Sequence, residues 1–153
     1  MTRQILLQAL IDRVAEAVPE ARHYRGRLEE GFFRPAFLYV PVYFGEKKRN
    51  YVTSEKNVEV QMVYFGKTDN YGREDFAERL QVQEKLDGFL SQFYLTAGDR
   101  KLHFTYEEKD TDGQMTYYLT FRFLDEAFDQ RMLAEEAMEA AESLRMGTEV
   151  TGK

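Results

Sequence analysis

Few side chains in this sequence are suited to a catalytic or metal centre. The chain of 153 residues has no cysteine and only two histidines, His23 and His103. The absence of cysteine excludes thiol nucleophiles, disulfides, cysteine-bound zinc and iron–sulfur clusters, and two histidines cannot form a three-histidine metal site within one chain. Each histidine stands alone in the sequence. We therefore expect both at the surface or at an interface, with a general base as the alternative role.

Motifs for nucleophiles and for phosphate binding are also missing. The sequence contains no GxSxG, HExxH, GxxxxGK[ST] or GxGxxG pattern. Its three serines, Ser54, Ser91 and Ser143, fall in a charged segment or in predicted helices, which are poor positions for a nucleophile elbow. We expect no catalytic, cofactor-binding or metal-binding residues, and therefore no enzymatic activity.

Two acidic patterns have ordinary structural explanations. The adjacent glutamates at 29–30 and 107–108 lie in predicted extended segments, where neighbouring side chains point to opposite faces and cannot pair. The segment 110–113 (DTDG) resembles part of a calcium loop, but Leu119 stands where such a loop needs glutamate. We interpret this segment as a hairpin turn in which the glycine takes a positive φ.

Charge and hydropathy favour a folded protein that does not coat nucleic acid. Lys and Arg total 21 against 27 Asp and Glu, a net charge of −6, whereas nucleic-acid-coating proteins carry a basic patch or stripe. Apolar residues make up 43% and charged residues 31%, as in a globular domain. The longest apolar run, 36–44, has nine residues, far short of the roughly 20 that cross a bilayer. We expect neither specific nucleic-acid binding nor a membrane span.

Hydrophobic periodicity predicts two amphipathic helices. Leu6, Leu10 and Val14 recur at helical spacing over 2–18, and Pro19 ends that helix because the residue before proline avoids the α conformation. A second helix is predicted over 73–93. Its buried stripe is predicted to comprise Phe76, Leu80, Leu86, Phe89, Leu90 and Phe93.

The segment between these helices begins with strand signals. A polar extended stretch at 21–30 precedes the apolar run 36–44, which we interpret as a buried strand. Pro41 lacks a backbone donor, so part of this strand should lie at an edge or a bulge. The charged segment 46–57 (EKKRNYVTSEKN) is expected to form a long hairpin loop that grades into a strand near Tyr51.

Alternating patterns predict three further strands. Apolar side chains occupy every second position over 58–64. The same period governs 102–106 and 115–123, which flank the 110–113 turn and should form a hairpin.

An acidic segment rich in alanine and methionine follows, and it predicts a last helix over 126–146 and a disordered tail over 147–153. The predicted order is α-β-β-β-α-β-β-α. This order indicates an α+β fold: an antiparallel or mixed sheet with two helices on one face, plus the C-terminal helix. We expect residues 1–125 to form a single domain.

The segment EEGFFRPAF at 29–37 is the first candidate interaction surface. Phe32 and Phe33 are adjacent, so an extended chain cannot turn both towards one core. One is expected to cover the edge of the core, and the other to serve as an exposed anchor for a partner. Arg34 and Pro35 complete this corner.

The basic cluster Lys47-Lys48-Arg49, with Tyr51 close by, is the second candidate surface. It is interpreted either as a solvated hairpin tip whose charge discourages edge pairing, or as an arm that contacts a neighbouring subunit or a phosphate. Three charges can supply only a weak, salt-sensitive contact.

The layout of these segments resembles a known family. An amphipathic helix is followed by EEGFFRPAFLYV, a charged hairpin, NVEVQMVYFGK and a long helix. This resembles the small tail-completion, or tail-terminator-like, proteins of tailed phages and of prophages in Gram-positive bacteria. Their block Q-G-F-x-x-P-x-F-F matches 30–38 with Glu30 in place of glutamine and Leu38 in place of the last phenylalanine, and their strand-closing Y-F matches Tyr64-Phe65. The resemblance covers about residues 2–125, and its motifs are structural.

The resemblance implies a non-enzymatic virion part. Tail terminators cap the growing tail tube as rings, usually of six subunits, and present a surface to the head connector. The expected partners are therefore further copies of this chain, the tail tube protein and the head connector proteins. The expected locations are the virion and, during assembly, the cytoplasm of the bacterial host. On this interpretation the 46–57 hairpin and the corner from Phe32 to Pro35 form parts of the contact between subunits.

Other functions remain open at this point. A neck or head-completion protein of the same particle could share the fold but dock on a different partner. A small-molecule-binding α+β domain would instead have an apolar cavity of roughly 300 Å³ or more with convergent polar groups. An enzyme would need a cleft that holds carboxylates or histidine with perturbed pKa values.

Overall fold

A computed structural model describes residues 2–126 and residue 141. In chain order its elements are α1 (Arg3–Ala17), β1 (Arg22–Arg25), β2 (Ala36–Lys48), β3 (Thr53–Phe65), α2 (Phe76–Leu90), β4 (Tyr94–Ala97), β5 (Arg100–Thr111) and β6 (Gln114–Glu126). The described residues form two compact units. The first unit comprises 2–45 and 57–123, and the second comprises 46–56 and the described residues from Leu124 on.

The six strands form one mixed sheet in the order β1-β2-β3-β6-β5-β4. β1 runs parallel to β2, with Arg22 opposite Ala36. β5 is antiparallel to β6 and to β4. The turn of 49–52 is too short for the crossover that parallel strands need, so β2 and β3 form an antiparallel hairpin. Two helices and a mixed sheet confirm the α+β class.

Local capping sets the limits of α1. The Thr2 side chain accepts a hydrogen bond from the Ile5 backbone at 3.2 Å and so satisfies an N-terminal amide that lacks a helical partner. The helix ends at Ala17, just before Val18 and Pro19, as the sequence predicts. The buried face of α1 comprises Leu6, Leu10, Ile11 and Val14.

The start of α2 differs from the prediction and changes its buried face. The Asp75 side chain accepts from the Ala77 and Glu78 backbone amides, so the helix begins at Phe76 and not near 73. Phe76 is 69% exposed and Leu80 is 44% exposed, so the prediction that both are buried is wrong. Leu80 precedes the buried Val82 by two residues, which places it about 200° away around the helix. The buried stripe comprises Val82, Leu86, Phe89 and Leu90.

A short strand that the sequence analysis missed follows α2. Phe93 follows α2 with φ +58°. It is 42% exposed, so the prediction that it is buried is wrong. β4 begins at the next residue and buries Leu95 and Ala97 on alternate positions. Three strands therefore follow α2, and the predicted order with two is wrong. Four residues are too few to show a period in the sequence.

The hairpin between β2 and β3 is also more regular than predicted. Strand pairing continues to Lys48 and resumes at Thr53, so the charged segment 46–57 is mostly strand and only 49–52 turns. The turn is closed by the Asn50 side chain, which accepts from the Val52 and Thr53 amides at 3.0 and 2.9 Å. The sequence does not mark this strand because the positions buried in it, Ser54 and Lys56, are themselves polar.

The geometry of β2 confirms the expectation for Pro41. β1 ends at Arg25, opposite Tyr39, and the Tyr39 carbonyl accepts from Gly26 on that side at 2.9 Å. Alternation along the strand places the nitrogen of Pro41 on the same side, beyond the end of β1. The missing donor of Pro41 therefore lies at an edge that no other described strand covers.

The core of the first unit lies between the two helices and one face of the sheet. Aromatic side chains dominate it: the ring centres of Phe37 and Tyr64 are 4.8 Å apart, and those of Phe104 and Phe121 are 5.3 Å apart. Tilted ring pairs at such distances contribute beyond the apolar area that they bury.

The second unit contains a buried ion pair. Lys56 Nζ lies 3.3 Å from Asp125 Oδ2, and the two side chains are only 6% and 14% exposed. Ser54, also buried, donates to Glu46 at 2.7 Å. Ser54 and Lys56, the buried polar side chains of the second unit's described strands, therefore each have a partner that offsets their lost hydration. Apart from 126 and 141, the predicted C-terminal helix and the 147–153 tail lie outside the described residues.

Burial on α2 yields a test with two leucines of one helix. We expect Leu86→Ala to lower the free energy of unfolding by about 2–5 kcal/mol, because it leaves a cavity in the core. Leu80→Ala should change it by less than about 1 kcal/mol. Urea denaturation of both variants measures the difference, and equal losses would contradict the assigned helix face.

The ion pair of the second unit yields a similar comparison. We expect Lys56→Met to lower the free energy of unfolding by about 3 kcal/mol, because it leaves Asp125 buried beside an uncharged side chain. Lys47→Met, an exposed lysine of the same hairpin, should change it by no more than about 0.5 kcal/mol. A loss of stability no larger for Lys56→Met than for Lys47→Met, measured by denaturation, would refute a structural role for the pair.

Candidate interaction surfaces

The corner, residues 32–35, presents one phenylalanine to solvent. Phe33 is 63% exposed. Its backbone N–H donates to the Tyr24 hydroxyl at 3.1 Å, and the Arg22 guanidinium lies 4.6 Å from its ring centre. Gly31, at φ +75°, allows the chain to turn into this segment. The corner therefore holds an exposed aromatic ring on a hydrogen-bonded backbone.

The other corner residues have partners within the first unit. The Phe32 ring meets Phe65 edge-on at 5.3 Å, and Arg34 lies over both rings. Arg34 also donates to the Gly66 carbonyl at 3.1 Å. Pro35 is buried. Of the four corner residues singled out from the sequence, Phe33 has the side chain most available to a partner.

The segment Glu46–Lys56, which we call the arm, offers aromatic and basic side chains. Tyr51 is 68% exposed, and Lys48 Nζ lies 5.3 Å from its ring centre. Arg49 forms an ion pair with Glu55. Lys47 is exposed and has no ion-pair partner within residues 2–126. Among the four arm residues proposed from the sequence, Lys47 and Lys48 therefore have no ion-pair partner within residues 2–126.

The structure brings candidate residues together within each surface. In the corner Arg34 contacts Phe32, and in the arm Lys48 contacts Tyr51. The corner belongs to the first unit and the arm to the second. An exposed apolar pair on α2, Phe76 and Leu80, was not predicted from the sequence. Asp75, a capping residue just before an apolar residue, is the signal that could have located the start of this helix.

A groove between α1 and β4 was also missed. Its volume is about 740 Å³, and it is open to solvent. The side chains on its walls that could select a partner are Ile5, Ala9, Asp12, Glu16, Tyr94 and Thr96. No sequence motif joins these residues, because β4 is too short to be recognised and lies about 80 residues from α1.

The two histidines differ in their surroundings. His103 is exposed beside Phe93 and Tyr94, as predicted. His23 is half-buried and stacks on Phe37 and Tyr39, so it does not lie fully at the surface, and the expected interface position stays a prediction. Its Nδ1 lies 2.9 Å from the Tyr39 hydroxyl, and its Nε2 is buried without a partner in the described chain.

Burial lowers the pKa of His23, against a smaller opposing effect of Asp12. Protonation would require Nε2 to donate where no acceptor is present. The residue therefore acts as a neutral packing group, and no carboxylate is hydrogen-bonded to it in the described structure. A general-base role has no support in this geometry.

Buried tyrosines also serve packing. Burial, with a smaller contribution from Glu78, raises the pKa of Tyr64, whose hydroxyl donates to that carboxylate. Burial likewise raises the pKa of Tyr39 and Tyr117. All three hydroxyls therefore stay protonated at neutral pH. Within residues 2–126 no group of histidines and carboxylates could hold a metal ion.

The environment of His23 predicts a pH dependence of stability. Its folded pKa lies below the unfolded value of about 6.5, so below that pH the unfolded chain binds the proton more readily. Stability from this residue is complete above pH 6.5 and falls as the pH drops through the folded pKa. We expect stability to decline less between pH 7.5 and 5.0 in His23→Gln than in the wild type. Parallel denaturation curves for the two proteins would contradict this assignment.

No helix among residues 2–126 is both long and apolar enough to cross a membrane. One solved structure that resembles this fold shares 13% sequence identity, and the alignment covers 84% of this chain and 97% of that chain at a TM-score of 0.42. No curated protein matches the sequence.

A family model gives the decisive comparison. The model for the phage tail terminator protein family matches residues 6–132. The match begins in α1, includes the described strands β1 to β6, and covers the corner and the arm. It confirms the resemblance recognised from the EEGFFRPAF block and from Tyr64-Phe65. The chain therefore belongs to the phage tail terminator protein family and has a structural role in phage tails.

Proposed function

We propose that this protein forms a ring that caps the tail tube and makes part of the head–tail junction. Membership of the tail terminator family is the observation that carries the proposal. Its partners are then further copies of the chain, the tail tube protein and the head connector proteins. Such a subunit acts by binding and shape, so it needs no catalytic residue. It would be assembled in the host cytoplasm and retained in the virion.

Elementary geometry is compatible with such a ring. A folded domain of this size is roughly 30 Å across, and six such bodies in a closed ring leave a hole of roughly 30 Å. A DNA duplex could pass through that hole. The net charge of −6 suits a ring through which DNA must slide, since non-specific affinity comes mainly from positive side chains.

The arm and the corner supply the best candidates for contacts between subunits. A ring requires a heterologous interface, in which one patch meets a different patch on the next copy. Aromatic and arginine side chains are enriched at the centres of such interfaces. Phe33 and Tyr51 are largely exposed in the described structure, and Lys47 carries an uncompensated charge beside the turn.

The experiment replaces 49–52 with Asn-Gly, a sequence that closes a two-residue hairpin. This change retains Lys56, whose buried pairing a larger deletion would remove. We expect a folded chain with nearly unchanged melting temperature that no longer forms rings, either alone or on purified tail tubes. Light scattering measures the mass in solution, and negative-stain imaging shows whether tube ends are capped.

Tyr71→Ser is the matched control, since Tyr71 is an exposed aromatic residue outside the arm. It should assemble like the wild type. Normal rings from the Asn-Gly variant would rule out the turn 49–52 of the arm as a contact. Wild-type protein that binds connector complexes and leaves tube ends bare would instead indicate a neck or head-completion role.

A further inference from the structure

We infer that the groove between α1 and β4 receives the outer part of β2, from Pro41 to Lys48, of a second copy of this chain. This inference rests on the proposed ring and names the two surfaces that meet in it. The contact would add a strand from one subunit to the sheet of the next. It belongs to the general mode in which an extended segment pairs with an exposed sheet edge.

The acceptor is a free edge with a wall beside it. Within residues 2–126, β4 has a single neighbour, β5, and is the last strand of the sheet. Alternate backbone N–H and C=O groups of β4 therefore point away from the sheet and are available to another strand. α1 forms the opposite wall of the groove, whose volume of about 740 Å³ leaves room for inserted side chains.

The donor is the other free edge of the sheet. β1 pairs with β2 only as far as Tyr39, and no other described strand pairs with that side of β2 from Pro41 onward. Val42 and Tyr43 are exposed on this stretch. A Cβ on Gly45 would lie 2.6 Å from the Tyr43 hydroxyl, so the glycine lets this ring lie flat along the strand.

Opposite charges stand on the two surfaces, Asp12 in the groove and Lys47 on the donor strand. The groove carries Asp12, which has no ion-pair partner within the described chain, and Glu16, which is only 3.8 Å from Arg13. The donor strand carries Lys47, which is also unpaired there. The groove also carries two cations, Arg13 and Lys101, so the charge match depends on the pair Asp12 and Lys47 and not on a net charge of the groove.

A second copy fits this groove better than an unrelated partner because both unpaired edges belong to the same chain. They lie at opposite ends of the strand order, β1-β2 at one end and β4 at the other. Joining unlike edges of successive copies gives a heterologous contact, which closes into a ring when its rotation permits. Two copies joined through the same edge would give a two-fold dimer and could not form a ring.

The chain has no cysteine, so introduced thiols report on this contact without background. One protein would carry Thr96→Cys in the groove and another Tyr43→Cys on the donor strand. Mixed on purified tail tubes under mild oxidation, they should give a cross-linked dimer that neither protein gives alone. A chain with both substitutions should give a ladder of cross-linked oligomers up to the size of the ring. A chain with Thr96→Cys and Leu80→Cys is the control and should not cross-link.

A charge exchange provides an independent measurement. Asp12→Lys and Lys47→Glu should each weaken assembly at least about tenfold, because each places like charges opposite one another. Asp12→Lys combined with Lys47→Glu in one chain should recover most of the loss. Recovery, with the Thr96–Tyr43 cross-link, would support the inference.

Failure of the inference and failure of the proposed function are distinguishable. Rings that form without the Thr96–Tyr43 cross-link, or that cross-link through Leu80, overturn the strand-addition contact and leave the ring intact. Tail tubes on which the wild type forms no ring overturn the proposed function, and the inference falls with it.

Discussion

Alternate burial along β3 is the constraint on which the rest of the structure depends. Every second residue from Ser54 to Tyr64 is buried over the thirteen residues of the strand, and a shift of one residue would turn this whole set to the opposite face. In the first unit the buried positions are apolar and carry the two helices. In the second unit the same alternation buries Ser54 and Lys56, which therefore need Glu46 and Asp125 as partners. The register of β3 thus determines which of its side chains enter the aromatic core of the first unit and which polar side chains are buried in the arm.

The elements predicted correctly from the sequence are those in which a periodic pattern continues over many residues and the buried residues are apolar. β3 from Val58 onward, the β5–β6 hairpin and α1 all follow from such periods. The strand segment 53–56 of the arm does not follow from such a period. Its buried positions are Ser54 and Lys56, and polar residues on the buried face remove the alternation of apolar and polar residues that marks a strand. The face of α2 was misassigned for a related reason. Phe76 and Leu80 have helical spacing, but the Asp75 cap sets the start of the helix, and the core is met only from Val82 onward.

The candidate surfaces were predictable only where one short segment contains them. The corner and the arm are continuous in sequence, and their aromatic and basic composition identified both. Which of the two corner phenylalanines stays exposed depends on Phe65, which packs on Phe32 from another strand, so local sequence could not decide it. The α1–β4 groove is a property of tertiary structure: its walls come from distant segments, and the free edge of β4 exists only because the sheet ends there.

Free edges of a β-sheet must be protected from indiscriminate pairing, and this requirement bears on how the proposed ring would assemble. Pro41 removes a donor from the open side of β2, and the lysines at 47 and 48 place charge beside it, both of which disfavour pairing with an arbitrary strand. A groove that presents Asp12, which has no ion-pair partner within the described chain, would offset the charge of Lys47. The features that keep β2 from aggregating would then also select its partner. Since each such contact is small and screened by salt, a single interface is weak. Closure of the ring on a tail tube, where every subunit makes two of these contacts, would supply the missing stability.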